Sequence, residues 1–375
     1  MGNFDLSVMW LKNLTLLNFK NYNSADLIFS NSVTAFVGNN GAGKTNLLDA
    51  IHYLCLCKSY FNPIDSQQIK AGEELFLVQG DFVRDEKPEK ISCGLKKNQK
   101  KSFKRNKKEY DKLADHIGLF PVVMISPYDI NLIMDGSEER RRFVDNVISQ
   151  TDSRYLDELI TYNKHLLNRN ALLKQVAATR TLDVALLQIL DEQLVKSGNI
   201  IFEKRKQFLH NFIPFFDKHY QFLTNNAEQV SLSYQSQLNE QNFETLLANA
   251  IEKDRLLERT TVGIHKDELQ FEIAGMPMKK FGSQGQQKSF LIALKLAQYS
   301  YLQKFKNFKP LLLLDDIFDK LDQNRIHKLM EMVSHHDFGQ IFITDTDKQR
   351  VAKVFEQIAI DVDLFDVSEG SVNHA

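Results

Sequence analysis

The chain has 375 residues, which is enough for two domains and a sizeable core. Its 47 Lys and Arg residues against 48 Asp and Glu residues give a formal net charge of −1, so any binding to nucleic acid or to a membrane would have to come from a local patch. The sequence has no apolar run of 18 residues and no signal-peptide pattern at its start, so we expect a cytoplasmic protein without a membrane partner.

The first third of the chain has the pattern of a strand-rich domain. Alternation of apolar and polar residues predicts strands at WLKNLTLLNF and ADLIFS, and again at ELFLVQGDFV and EKISCGL, where the short links favour antiparallel pairing. The apolar segment SVTAFVG predicts a strand that ends at a glycine-rich loop, and TNLLDAIHYLCL after the loop has helical spacing. The cysteines Cys55, Cys57 and Cys93 form neither a disulfide framework nor a metal-ligand pattern, and we expect core thiols.

The glycine-rich loop, GNNGAGKT, matches the phosphate-loop pattern G-x-x-x-x-G-K-[ST] at every position. Its glycines let successive backbone N–H groups point at phosphate oxygens, and the dipole of the following helix adds to that attraction. Lys44 would neutralise the β and γ phosphates of ATP, and Thr45 would bind Mg²⁺ through its hydroxyl. The predicted nucleotide contacts are Gly38, Asn39, Asn40, Gly41, Ala42, Gly43, Lys44, Thr45 and Asn46.

A strongly basic run, KKNQKKSFKRNKK, follows the predicted antiparallel strands as a hairpin or loop. A local cluster of this kind is a candidate for contacts to the phosphates of DNA, and a solvated surface loop is the alternative. Its basic residues are Lys96, Lys97, Lys100, Lys101, Lys104, Arg105, Lys107 and Lys108.

From about Gly136 the apolar residues recur at helical spacing, whereas strand-like patterns return in VSLSY and LQFEIAG. Beyond these, helical and strand patterns alternate, with strands at PLLLLDDIF and QIFITD, and this alternation predicts a parallel sheet with crossover helices. The simplest organisation is an α/β domain made of residues 8–135 and 226–375, interrupted by a helical lobe at 136–225.

Two acidic residues follow the leucine-rich strand at the edge where α/β sheets bind ligands. We expect Asp315 to bind Mg²⁺ and Asp316 to face the γ-phosphate, where it could orient or deprotonate the attacking water. Lys44, Asp315 and Asp316 are therefore the candidate catalytic residues. A strand end that simply leads into a turn is the alternative for the two acids.

The phosphate loop, SQGQQ and LLLLDDIFDKLD together resemble, in this order, the head of ATP-binding-cassette (ABC) ATPases. DKLD at Asp319–Asp322 is similar to the D-loop of that superfamily. Nearly the whole chain is similar to the RecF family of bacterial recombination and replication-gap repair, most clearly in the N-terminal segment, SPYDINLIMDGSEERRRFVDN, TTVGIHKDEL and GSQGQQKSFLIALKLAQ. The residues similar to the ABC signature loop are Ser283, Gln284, Gly285 and Gln286.

The resemblance implies an ABC-type ATPase head, with a mixed sheet, antiparallel strands on its N-terminal side and an inserted helical lobe. It also implies binding of ATP and Mg²⁺, slow DNA-stimulated ATP hydrolysis, ATP-dependent homodimerisation on double-stranded DNA, and work with RecR and RecO in loading recombinase. In such heads the signature loop reaches the γ-phosphate held by the partner copy. Lys20 is expected, on the same resemblance, to approach the base or ribose of the nucleotide.

Four features depart from the family patterns. Asp316 stands where ABC heads usually carry the longer Glu, and Asp345 stands where transporters carry a switch His. No clear Q-loop Gln is present, and Ser126 to Asp129 lies about where one is expected. In TTVGIHKDEL an Ile replaces the usual Pro, which leaves His265 and Asp267 open to either a structural or a functional role.

Two other classes of protein share the phosphate loop and signature. The ATPase subunit of an ABC transporter is one, but the strand-rich start and the RecF-like body argue against it. A head of an SMC-like machine is the other, but such heads carry arms of hundreds of heptad-patterned residues, and the helical segment at 136–225 is far too short for them.

Overall fold

Alternating apolar residues at the start of the chain form an antiparallel sheet in the computed structural model, which describes residues 9–30, 32–179, 181–225, 228–320, 323–335 and 337–374. The strands of this sheet lie in the order β2–β1–β4–β5–β6–β7. The first elements of the chain are β1 (Met9–Phe19), β2 (Tyr22–Ile28), β3 (Val33–Val37), α1 (Lys44–Leu56), β4 (Leu75–Arg84), β5 (Lys87–Lys96), β6 (Ser102–Arg105), β7 (Lys108–Glu109) and β8 (Val122–Ile125).

Strand β1 shows how the sequence sets the packing of this sheet. Its buried positions change from odd to even numbers because a β-bulge lies between Leu11 and Asn13, so Leu11 and Leu14 both face the core. The core also includes Leu47 and Leu54 of α1, which the helical spacing of that segment places inside. Burial of each such leucine stabilises the fold by about 1.5–3 kcal/mol.

The middle of the chain is mainly helical. Its elements are α2 (Asn131–Met134), α3 (Ser137–Thr151), α4 (Ser153–Thr179), α5 (Val184–Thr224), β9 (Val230–Gln235), α6 (Phe243–Leu257), β10 (Glu268–Ile273), β11 (Met276–Pro277) and α7 (Met278–Phe281). Strand β10 lies between β11 and β9 in a small antiparallel sheet. Arg205 of α5 is buried, and its guanidinium Nη2 lies 2.9 Å from Oδ1 of Asp145, with Nη1 3.1 Å from Oδ2 of Asp267. This paired charge ties α3, α5 and the segment before β10 together.

The last part of the chain completes a parallel sheet around β3. Its elements are α8 (Gln284–Lys306), β12 (Leu311–Leu314), α9 (Ile317–Lys320), α10 (Gln323–Ser334), β13 (Ile341–Asp345), α11 (Lys348–Gln357), β14 (Val362–Ser368) and β15 (Ser371–His374). The sheet order is β15–β14–β3–β13–β12–β8, and only the pairing of β15 with β14 is antiparallel among these described strands. Every residue of β3, β12 and β13 is buried, as continuous apolar strands require in a sheet covered on both faces. The predicted α/β class is confirmed.

Two compact units account for the chain: Met1–Asp129 with Lys288–Ala375, and Ile130–Gln287. The helical unit therefore extends well beyond the predicted lobe at 136–225. The reason is that α6 packs with α4 and α5, β9 packs with α5, and β10 pairs with β9 and packs with α3. Strand periodicity after residue 225 indicated the element type, but it carried no information on which unit the strands join.

The three cysteines are buried free thiols, as expected. Burial raises the pKa of the Cys93 thiol to about 12, which keeps it protonated and unreactive at neutral pH. Throughout the described part of the chain, every helix is too short or too polar to span a lipid bilayer.

Candidate nucleotide-binding site

Four neighbouring parallel strands end at one edge of the sheet and deliver polar residues there. The phosphate loop follows β3, Ser126 follows β8, Asp315 follows β12, and Thr344 lies at the end of β13. Because parallel strands share their carboxyl edge, residues distant in sequence meet at this edge, where ligands bind in open α/β sheets.

The phosphate loop adopts the backbone that its glycines allow. Gly38, Gly41 and Gly43 have φ angles of 154°, 80° and 117°, a region that residues with a Cβ atom rarely enter. At Gly38 a Cβ atom would lie only 2.1 Å from the carbonyl oxygen of Val367, so this position admits no side chain. The ammonium group of Lys44 donates to the carbonyl oxygens of Gly38 and Asn39 at the start of the loop, with Nζ 2.8 Å from the Gly38 oxygen. The predicted lysine therefore contacts the phosphate loop itself.

Residues outside the motif support the loop, and the sequence pattern did not identify them. The Asn21 side chain donates through Nδ2 to the Ala42 carbonyl oxygen at 3.0 Å, and Tyr22 donates its hydroxyl to the Gly43 carbonyl oxygen at 3.0 Å. The Gly370 N–H donates to the same Ala42 oxygen at 3.2 Å. Asn46, a predicted nucleotide contact, instead donates its side-chain amide to Asn21 Oδ1 at 2.7 Å. These contacts come from the β1–β2 and β14–β15 turns, so a local motif could not reveal them.

Asp315 meets Thr45, its predicted partner in metal binding. The Thr45 hydroxyl oxygen lies 2.8 Å from Asp315 Oδ1, and the Thr344 hydroxyl oxygen lies at the same distance from that atom. Ser126 Oγ lies 3.4 Å from Asp315 Oδ2. Burial raises the pKa of Asp315, and the hydrogen bonds from these three hydroxyls act in the opposite direction by favouring the carboxylate.

The donor set fits magnesium. Thr45 and Asp315 present hydroxyl and carboxylate oxygens, the hard ligands that Mg²⁺ takes together with substrate phosphates and water. Within the described ranges no group of three or more His, Cys, Asp and Glu residues could hold a metal by itself. With one carboxylate and one hydroxyl from the protein, Mg²⁺ would take its other ligands from phosphate and water oxygens.

Asp316 has an unusual backbone for its residue type. Its φ angle is 45°, in the left-handed region, and its backbone N–H donates to the Thr344 hydroxyl oxygen at 2.9 Å. It directly follows Asp315 at the end of β12, where the sequence placed it. The D-loop prediction at 319–322 extends outside the described residues.

Lys20 contacts helix α1 rather than the phosphate loop. Its Nζ lies 2.6 Å from Oδ2 of the buried Asp49, which also accepts hydrogen bonds from the Ser59 hydroxyl and the Tyr60 N–H. An approach of Lys20 to the nucleotide base or ribose would require this ion pair to open, so that role remains a prediction.

The two other departures from ABC patterns have structural partners. Asp345 is buried, and its Oδ1 lies 2.7 Å from Arg350 Nη2, while its carbonyl oxygen accepts the N–H of Gly38 at 3.2 Å. Asp129 forms a buried ion pair with Lys295 of α8, with Nζ 2.7 Å from Oδ1. Asp345 is therefore paired with α11 and Asp129 with α8. We assign neither the role of the switch His to Asp345 nor that of the Q-loop Gln to Asp129.

The predicted signature loop forms a capping box at the start of α8. The Gln286 side-chain oxygen accepts the Ser283 N–H at 2.8 Å, and the Ser283 hydroxyl accepts the Gln286 N–H at 3.3 Å. Glu228 fixes Gln286 further, since its Oε1 lies 3.1 Å from Gln286 Nε2. Ser283 and Gln284 are exposed at the helix N-terminus, and Gly285 is half-buried. The loop is thus ordered and presents its serine to solvent.

The basic run begins at the end of β5 and continues through the antiparallel strands β6 and β7 and their turns, which together are called the basic hairpin. Two of its members are engaged within the protein: Lys101 Nζ lies 2.7 Å from Asp65 Oδ2, and Arg105 pairs with Glu89. Lys97 forms an exposed pair with Glu74. The remaining basic residues are Lys96, Lys100, Lys104, Lys107 and Lys108, and all but the half-buried Lys104 are exposed. They are therefore the stronger candidates for phosphate contacts.

His265 and Asp267 lie in a network of buried contacts. His265 shares a hydrogen bond of 2.8 Å between Nδ1 and the Tyr162 hydroxyl, and burial lowers the pKa of His265 to about 4. Asp267 pairs with the buried Arg205 and accepts a hydrogen bond from Tyr234. These contacts favour the structural interpretation of both residues.

Comparison with known proteins agrees with this geometry. Residues 10–364 match the model of the RecF/RecN/SMC N terminal domain family. The protein named DNA replication and repair protein RecF of Flavobacterium johnsoniae is 54% identical over 92% of this chain and 96% of its own length. The protein of the same name in Parabacteroides distasonis is 50% identical over 97% of this chain and 99% of its own length.

Solved structures show the same relationship. A structure described as the recombination mediator protein RecF-ATP in the RecFOR pathway is 30% identical, covers 100% of both chains and superposes with a TM-score of 0.90. An Smc head domain derived from Pyrococcus furiosus is 18% identical, covers 98% of this chain and 96% of its own, and has a TM-score of 0.57. The Smc likeness concerns the fold alone.

Proposed function

The chain belongs to the RecF family, and we propose that it is an ATPase whose nucleotide state controls its hold on double-stranded DNA during replication and repair. The observation that carries this proposal is the meeting of the phosphate loop and Asp315 at one sheet edge, with Thr45 Oγ1 2.8 Å from Asp315 Oδ1. A relative of the same fold has been solved with ATP, and this chain offers the residues for the same ligand.

The roles of the residues follow from their chemistry. Glycine N–H groups and the N-terminus of α1 would bind the phosphates, and Lys44 would exchange its contacts with loop carbonyls for contacts with the β and γ phosphates. Thr45 and Asp315 would hold Mg²⁺, which when bound neutralises charge that develops on the phosphates. Water would be oriented by Asp316, whose carboxylate is one methylene shorter than the usual Glu. The shorter side chain reaches less far, which fits slow hydrolysis, and we propose that DNA stimulates this weak ATPase activity.

DNA binding is assigned to the basic hairpin. The chain as a whole has a formal net charge of −1, so a local positive surface is required for phosphate contacts. The hairpin concentrates lysines on one short antiparallel element, and at least Lys101 and Arg105 are held by acidic partners. Lys97 also pairs with Glu74. We therefore assign the phosphate contacts to the five remaining lysines of the run, with Lys100, Lys104 and Lys108 as the principal residues.

The ordered signature loop supports a dimer. One phosphate loop suffices for one nucleotide, so a second ordered loop at a helix N-terminus needs another ligand. Exposed Ser283, the Gly285 backbone and the dipole of α8 would contact the γ-phosphate held by a second copy of the chain. ATP would then join two copies and hydrolysis would release them.

The partners proposed from the family are RecO and RecR, with loading of recombinase at gapped DNA as the outcome. Solved relatives are described as the recombination mediator protein of the RecFOR pathway, which supports this proposal. Because the proposed substrate is DNA, we also propose that the protein is cytoplasmic. The transporter alternative has no comparable support, since the curated relatives reported above are DNA replication and repair proteins.

The proposal is tested by duplex-DNA affinity measured with and without ATP and Mg²⁺, using fluorescence anisotropy of a labelled duplex. We expect ATP to tighten DNA binding by wild-type protein. Lys44→Ala should lose both ATP binding and this effect, because the phosphates lose their main cationic partner. Lys12→Ala, which removes an exposed lysine from β1, serves as the matched control and should behave as wild type. A DNA affinity that ATP leaves unchanged in wild type would contradict the proposal.

A further inference from the structure

Thr344 is a buried residue of β13 that no motif marks and to which the proposed ATPase reaction gives no role. It has no exposed surface, and its backbone pairs with Phe36 of β3 in the parallel sheet. Its hydroxyl makes two hydrogen bonds, both to the residues at the end of the neighbouring strand β12. Oγ1 donates to Asp315 Oδ1 at 2.8 Å and accepts the Asp316 N–H at 2.9 Å.

One hydroxyl can make both hydrogen bonds at the same time. A threonine hydroxyl has one hydrogen to donate and two lone pairs to accept with. Its hydrogen goes to the carboxylate of Asp315, and a lone pair receives the N–H of Asp316. One atom therefore contacts the side chain of the proposed metal ligand and the backbone of the proposed water-orienting residue.

The backbone contact matters because Asp316 has a strained conformation. Its φ angle of 45° is in the left-handed region, which is unfavourable for a residue with a Cβ atom. Such a conformation persists when surrounding contacts hold it. The Thr344 hydroxyl is such a contact, and by fixing the Asp316 peptide it fixes the direction in which the Cα–Cβ bond leaves the chain.

We infer that Thr344 is a positioning residue for ATP hydrolysis: its hydroxyl sets the mutual orientation of the Asp315 and Asp316 carboxylates. The inference rests on the proposed ATPase function. Thr45 and Ser126 also contact Asp315, but no contact from either reaches the Asp316 N–H among the described hydrogen bonds. Thr344 thus contacts both acids.

The test compares Thr344→Val, which has nearly the same shape but no hydroxyl, with Thr344→Ser, which keeps the hydroxyl. We expect Thr344→Val to lower kcat for ATP hydrolysis by about 10- to 100-fold, the range for a displaced catalytic group. The Kd for ATP, measured under single-turnover or non-hydrolysing conditions, should change by less than about threefold, because Lys44 and the loop N–H groups are untouched. Thr344→Ser should recover most of kcat.

A matched control is available in the adjacent strand. Thr34 of β3 is equally buried, and its hydroxyl has no hydrogen-bond partner among the described residues. Thr34→Val makes the same chemical change in the same sheet and should leave kcat at the wild-type value. If Thr344→Val does not fold, the comparison of Thr344→Ser with Thr344→Ala gives the same contrast between presence and absence of the hydroxyl.

Three results would overturn the inference. One is a kcat in Thr344→Val equal to that of Thr34→Val. Another is a loss of ATP affinity in parallel with kcat, which would indicate general collapse of the site. The third is failure of Thr344→Ser to recover hydrolysis. A wild-type protein that neither binds nor hydrolyses ATP would instead refute the proposed function, so the two failures are told apart by the wild-type measurement.

Discussion

At the scale of single residues, the nucleotide site depends on hydroxyl groups as much as on charged ones. Thr45, Thr344 and Ser126 each donate to Asp315; burial raises the pKa of this carboxyl group, and the three hydrogen bonds oppose that rise. Their hydrogen bonds favour the ionised form, which a metal ligand must have. These neutral donors come from helix α1, strand β13 and the segment after β8, and they partly offset the cost of burying the carboxylate.

Buried histidines make the free energy of unfolding sensitive to acid, and His116 allows a direct test. Its Nε2 donates to the Leu54 carbonyl oxygen over 2.7 Å, and burial lowers the pKa of His116 to about 4, against 6.5 for the ordinary side chain. The unfolded chain takes up a proton below about pH 6.5 and the folded one does not. Stability is thus complete above that pH and declines as the pH falls toward 4.

We expect His116→Gln to reduce the loss of unfolding free energy between pH 7.5 and pH 5 by about 2 kcal/mol, because the titrating group is gone. Urea unfolding at the two pH values measures the difference. His335→Gln changes an exposed histidine of the same unit and should keep the wild-type pH dependence. An unchanged acid sensitivity in His116→Gln would show that His116 is protonated as readily in the folded protein as in the unfolded chain.

The sequence predicted those site residues that belong to contiguous motifs. Gly38 to Thr45 and Asp315 could be placed because a strand, a loop and a helix succeed each other in a recognisable order. Asn21 and Thr344 could not, since their contacts depend on which strands and turns become neighbours, and local sequence patterns do not determine that order. For Lys20 no sequence pattern indicated its ion pair with the buried Asp49, and its contact with a nucleotide stays a prediction.

At the scale of elements, the folding of strands β5, β6 and β7 determines which basic residues of the run are exposed and which are paired. In sequence all eight basic residues of the run look equivalent. In the hairpin, alternation and the turns separate Lys101 and Arg105, which have acidic partners, from Lys100, Lys104 and Lys108. The structure thus narrows the candidate DNA contacts, although the contacts themselves remain a proposal.

Charge reversal of Lys100, Lys104 and Lys108 to Glu should weaken duplex binding at least tenfold at about 100 mM salt and flatten the plot of log K against log salt. Each lost phosphate contact removes about 0.9 from that slope in double-stranded DNA. The same reversal at exposed Lys12, Lys87 and Lys353 gives a control of equal charge change. Equal salt slopes in the two triple variants would place the DNA contacts elsewhere on the protein.

The spacing of apolar residues predicted the helices of the helical unit but not where that unit ends. Spacing of apolar residues predicted helices from 136 to 225, and α3, α4 and α5 occupy that range. The unit continues to Gln287 because β9 and β10 form their own small sheet and α6 packs on α4 and α5. Local patterns indicate which element forms, whereas the partner of an element is decided by contacts between distant segments.

At the scale of the whole molecule, the chain interrupts its ATPase-like unit after Asp129 and resumes it at Lys288. Helix α8 begins at the signature loop, in the last residues of the inserted segment, and continues into the resumed one. The insertion therefore ends at the loop for which we propose a second copy of the chain as partner. ATP would serve as a ligand shared by two molecules, and DNA retention would follow from the dimer it holds together.

The most direct test of this account is the mass of the protein in solution with ATP, Mg²⁺ and duplex DNA, compared between wild type and Ser283→Arg. We predict that wild type reaches twice the monomer mass only with ATP, whereas Ser283→Arg binds ATP with nearly wild-type affinity and stays monomeric. Ser231→Arg, at an exposed serine of the same unit, should dimerise as wild type does. A wild type that remains monomeric with ATP and DNA, or a Ser283→Arg variant that dimerises normally, would contradict the account.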